Sequence, residues 1–130
     1  MMPALTLLFA LCALGEMAVG GALLAFPSLI ALLMGAALDG GALLLARMMG
    51  TALLALGVTW WLARGEPGGL ARCAPGFIVY NAGIGVLSAL AAAAAAHPLV
   101  PWIVCGAHLG PAAVFGIALA QGWIKVSRRG

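Results

Sequence analysis

The chain has 130 residues, of which 65% are hydrophobic and 7% charged, with a formal net charge of +3. Ordinary soluble domains carry about 25% charged residues, and a short chain has a large surface to cover. The composition therefore excludes a water-soluble globular domain, and so small a positive balance is read as a membrane-topology signal, not as a nucleic-acid patch.

The first apolar stretch, Leu5–Phe26, is long enough to cross a hydrocarbon core about 30 Å thick, which takes ~20 residues. It carries one charge, Glu16, within "ALCALGEMAVGG". A cleaved signal peptide would want a basic beginning and a small-residue cleavage site. No Lys or Arg precedes Arg47, and Leu11 stands before Cys12 where a lipoprotein signal expects a small residue. The stretch is read as a retained span.

The connection Pro27–Gly40, "PSLIALLMGAALDG", is apolar but too short to span. Ser28 is expected to cap a short helix and Gly35 to end it, giving an interfacial or re-entrant segment. The second span, Gly41–Ala63, contains Arg47 and the small residues Ala46, Gly50 and Gly57. A polar connection, "RGEPGGLARC", leads to the third span, Pro75–Ala96. There Asn81, Gly85, Ser88, Ala92 and Ala95 recur at helical spacing, a face suited to close helix approach. The run Ala91–Ala96 is packing surface. After "HPLVP" the fourth span, Pro101–Ile124, carries His108 and Pro111. The expected fold is all-α: one domain over residues 1–130, a four-transmembrane-helix bundle with a short helix between spans one and two.

Orientation follows from the basic residues. Arg64 and Arg72 lie in the second connection, and Lys125, Arg128 and Arg129 follow the fourth span, so all five share one side. The positive-inside rule makes that side, and both termini, cytoplasmic. Trp60, Trp61 and Trp123 fall at the inner ends and Trp102 at the outer end, as interfacial tryptophans would.

Depth then groups three polar residues. From the outer side Glu16 lies about 15 Å deep, and Arg47 and His108 about 10 Å deep, at 1.5 Å per residue. An unpaired Arg near the bilayer centre costs at least about 2.5–3.5 kcal/mol, and its guanidinium stays charged. A Glu16–Arg47 ion pair fixing spans one and two is the plainest reading; a ligand or proton site built on the pair is the sharper one. His108 either makes a structural hydrogen bond to Glu16 or to a backbone carbonyl, or joins the site. Pro111 removes the bond to the Ala107 carbonyl beside it. Haem ligation would want a second axial ligand, and His97 lies about 16 Å further along the bundle. Asn81, placed toward the inner side, and Ser88 are secondary polar positions, with Asn81 read as interhelical glue.

The three cysteines, Cys12, Cys73 and Cys105, have no metal-binding spacing and read as small apolar fillers. No catalytic triad, phosphate loop or paired carboxylate is present, so no enzymatic role, cofactor or metal is expected. The expected partners are the lipid bilayer and either a second copy of the chain or a larger membrane complex, with no nucleic acid.

The order "PSLIALLMG … LARMMGTALLALG … YNAG … H" loosely resembles the small four-helix bacterial membrane proteins of the DoxX-like kind. That resemblance covers most of the chain and implies a bundle in the bacterial cytoplasmic (inner) membrane, without a defined activity. "GEMAVG" and "GIGV" resemble, more weakly, the small multidrug resistance exporters, also four-span chains with one membrane-embedded Glu in span one. That likeness implies a proton-coupled exporter acting as a dimer through Glu16. Arg47, the apolar first connection and the missing span-three Trp depart from its pattern. Three functional classes follow: a structural, accessory or ligand-holding membrane protein; an exporter; a subunit that binds quinone or haem.

Overall fold

The computed structural model describes residues 3–95 and 99–124. Five helices follow one another: α1 Pro3–Ala25, α2 Pro27–Leu33, α3 Gly40–Ala63, α4 Gly69–Ala94 and α5 Leu99–Ala120. All but α2 are long and apolar enough to cross a membrane. The chain is a small multi-pass membrane protein, a bundle with a short helix between its first two spans. His97, Lys125, Arg128 and Arg129 lie outside the described residues.

Local chemistry sets the boundaries. Pro27 disfavours helical geometry at Phe26, whose φ and ψ are −133° and 53°, so α1 stops there and α2 starts with Pro27 in its first turn. Ser28 does not cap α2. Phe26 holds the cap position without a side-chain bond, because Pro27 has already fixed where the turn begins. Gly35 does end α2: its φ is +76°, and the amides of Gly35 and Ala36 return to the carbonyls of Leu32 and Ala31. Asp39 then starts α3, its side chain accepting the Ala42 amide at 2.8 Å.

The third span begins earlier than the expected Pro75. Helix α4 starts at Gly69 and carries Pro75 inside it. The fourth span, α5, ends at Ala120, short of the expected Ile124. Gly122 (φ +71°) reverses the chain, the Trp123 amide bonds the Ala118 carbonyl at 2.9 Å, and Ile124 folds back into the core.

The helices pack as two close pairs, α1 with α3 and α4 with α5. Between α1 and α3 the backbones nearly touch. A Cβ on Gly50 would lie 2.8 Å from the Gly20 carbonyl oxygen, and one on Gly57 2.7 Å from that of Ala13. Small residues permit this approach, and dispersion between the helices rewards it. The two pairs meet mainly through large side chains. Phe9 (α1), Trp60 (α3), Phe77 (α4) and Phe115 (α5) form one aromatic layer, with neighbouring ring centroids 4.4–5.9 Å apart. Trp60 is thus a core residue, not the interfacial one expected. Trp102 and Trp123 are exposed, and Trp61 is half-buried under Arg64. Leucines, valines and isoleucines cover the outer faces of all four long helices, the surface a hydrocarbon solvent requires.

Candidate functional site

A polar layer lies directly on the aromatic one, near the middle of the bundle. Glu16 on α1 is buried at 7% exposure. The Tyr80 hydroxyl on α4 donates to its Oε2 at 2.7 Å. Asn81, the next residue, is also buried; its Nδ2 donates to the Phe77 carbonyl at 2.9 Å, which leaves Oδ1 toward α5. There it meets His108 Nδ1 at 3.0 Å. A carbonyl oxygen only accepts, so Nδ1 carries the hydrogen and donates. The same Nδ1 is 4.0 Å from Glu16 Oε1. Successive helical residues diverge by about 100° around the axis, so Tyr80 serves α1 while Asn81 serves α5. Tyr80 also stands edge-on to both Trp60 and His108, at 5.6 and 5.8 Å between ring centroids. Aromatic surface therefore walls the layer on the side of the α1 N-terminus.

Arg47 does not join this layer. Its Nε donates to the Leu24 carbonyl at 3.4 Å, and its side chain is exposed. The expected Glu16–Arg47 pair is absent, and the antiparallel register explains why. Gly50 packs against Gly20 and Leu24, and Gly57 against Ala13 and Met17. Arg47 is therefore level with the end of α1, about 12 Å along the axis from Glu16. It lies on the face that the small residues define, at another depth. Near a bundle end its long stem lets the charged head reach the interface.

Glu16 and His108 do come together, as the depth argument expected, and Asn81 joins them. The expectation that Asn81 sits toward one side does not hold. Counted from Pro75 it is about 9 Å into its helix; counted from Gly69, the actual start, it is about 18 Å in, level with His108. Ser88 is buried one turn beyond Gly85 on the same face of α4, as read from the spacing. Tyr80 was missed. The available signal was that it is the one tyrosine of the chain, beside Asn81 in an otherwise apolar span.

Within the described residues, no three His, Cys, Asp or Glu side chains gather as a metal site would require. Cys12 and Cys73 are half-buried, Cys105 is buried, and all three are free thiols. No buried side-chain nitrogen or oxygen among the described residues lacks a hydrogen-bond partner.

No family model matches the chain, and no curated protein or solved structure matches it either.

Proposed function

We propose that this integral membrane protein works through its polar layer, as a site that holds a proton or a small hydrogen-bonding ligand at Glu16. One observation carries the reading: Glu16 is buried in a span with no Lys or Arg within ion-pair distance among the described residues. A carboxylate in hydrocarbon has to be met by a cation, by donors or by a proton. Tyr80 supplies one donor at 2.7 Å, and His108 stands 4.0 Å away, beyond hydrogen-bond distance. Glu16 thus keeps capacity for a further donor. Asn81 and Tyr80 hold the two titratable groups in fixed geometry, as a second layer of residues does in a preorganised site. Ser88 extends the polar lining along α4.

The reading places the protein in a bacterial cytoplasmic membrane with both termini inside. The resemblance to DoxX-like proteins agrees with that location. Difference infrared spectroscopy on protein in lipid nanodiscs tests the site. A carboxylic-acid carbonyl band that comes and goes with pH, and that Glu16→Gln abolishes, supports it. A Glu16 carboxyl signal in the unmodified protein that does not respond to pH or to any ligand refutes it.

The absence of Arg47 from Glu16 favours a second reading, the proton-coupled exporter, since no built-in cation competes for the carboxylate. Uptake of a cationic dye into proteoliposomes under a pH gradient, lost in Glu16→Gln, distinguishes it from a site that only holds its ligand. A subunit role with quinone or haem at His108 is the third reading. Its signature is an absorbance band in protein purified from membranes.

A further inference from the structure

A groove opens on the outside of the bundle where α1 begins and α3 ends. Pro3, Thr6, Leu7 and Ala10 line one side, and Arg64 and Gly65 the other, of a shallow depression of about 630 Å³ that is mostly open to its surroundings. The first side runs from the bundle end into the apolar zone. Pro3 and Arg64 stand at the end, where lipid headgroups lie; Leu7 and Ala10 stand one and two turns further in, at the depth of acyl chains. Leu7 is 61% exposed, so its side chain is free to contact a chain lying there.

Arg64 is held for this position. Its guanidinium carbon lies 3.3 Å from the centroid of the Trp61 ring, and Nη1 donates to the Trp61 carbonyl. A guanidinium has five N–H donors, so most remain for an incoming anion. Arg72, at the same end, is engaged by Glu66 at 2.8 Å; no carboxylate lies within ion-pair distance of Arg64 among the described residues. A cation held at headgroup depth, beside a shallow apolar depression at chain depth, matches a molecule that carries a phosphate anion on hydrocarbon tails.

We propose that this groove binds one anionic phospholipid, its phosphate on Arg64 and one acyl chain along Leu7 and Ala10. Native mass spectrometry of the full chain in detergent, with equal phosphatidylglycerol and phosphatidylcholine, tests it. The unmodified protein should retain phosphatidylglycerol preferentially. Arg64→Gln should lower that retention about fivefold, the effect expected of one basic residue at an anionic surface. Ala10→Phe, which fills the depression and leaves Arg64 in place, should lower retention as well. Arg72→Gln should leave it unchanged. The proposal fails if both lipids are retained equally, if Arg64→Gln keeps full retention, or if Arg72→Gln loses as much as Arg64→Gln. It fails too if inorganic phosphate displaces the lipid at comparable concentration, since the site would then recognise the anion alone. Melting temperatures confirm that each variant is folded.

Discussion

Tyr80 and Asn81 are neighbours in sequence that bond to different helices, Tyr80 to Glu16 on α1 and Asn81 to His108 on α5. One turn of α4 therefore ties together both helix pairs. Hydrogen bonds between membrane helices average about 0.6 kcal/mol and reach about 1.7 kcal/mol. Each of these two is a modest contribution, and their value lies in holding Glu16 and His108 in fixed relation.

Tyr80→Phe removes the donor and keeps the ring in place against Trp60. The expected loss is about 0.6–1.7 kcal/mol, seen as a lowered melting temperature in detergent. A double-mutant cycle with Glu16→Ala, which removes the acceptor, isolates the bond. Additive losses would show that the Tyr80 hydroxyl and Glu16 do not stabilise each other.

Arg47→Leu should cost less than about 1 kcal/mol, because the side chain is exposed and reaches only a long contact with the Leu24 carbonyl. Combined with Glu16→Gln, its effect should add within about 0.5 kcal/mol, the behaviour of independent sites. Rescue of one substitution by the other, measured by thermal unfolding, would mean that the two charges do meet in the membrane.

Gly57→Val places a side chain where a Cβ alone would approach Met17 Cγ to 2.7 Å and the Met17 amide nitrogen to 2.9 Å. Backbone cannot yield as a flexible side chain does, so a loss of at least about 1–3 kcal/mol is expected. Gly83→Ala meets open space and should be neutral or stabilising by up to about 1 kcal/mol, since alanine suits a helix interior better. Equal melting temperatures for the two variants would contradict the close α1–α3 packing.

Pro67→Cys reports orientation, in a background where Cys12, Cys73 and Cys105 are alanine. Pro67 lies in the exposed connection between α3 and α4, beside the ion pair of Glu66 and Arg72. With that end cytoplasmic, an impermeant thiol reagent applied to intact cells should leave it unlabelled and label it only after lysis. Rapid labelling in intact cells would invert the topology.

Much of this fold was legible because hydrocarbon imposes few choices. Runs of about 20 apolar residues become helices, and Gly35 ends α2 as read, by a rule that acts within a few residues, whereas the start read at Ser28 was set by Pro27. The pairing of Glu16 was not legible, because it depends on register between distant helices. Gly50 and Gly57 lie on the face of α3 that packs on α1, but a face says nothing of axial offset, and Arg47 misses Glu16 by two turns. Asn81 was misplaced for a related reason. Pro75 suggests a helix start, yet a proline inside a membrane helix is tolerated when surrounding groups satisfy the freed carbonyl. Tyr80 was hidden by its own chemistry, since a tyrosine in an apolar run reads as packing until its hydroxyl has a partner.

The close pairs are also consecutive in the chain: α1 and α3 are complete before α4 is made. During synthesis the first pair can clasp through Gly20, Gly50 and Gly57 without waiting for the rest. Its carboxylate cannot be met in the same way, because Tyr80 belongs to the second pair. Glu16 thus enters the membrane ahead of its donor, and the nascent first hairpin carries an unmet polar group until α4 arrives. Biogenesis is where a delay between the two hairpins would be felt most.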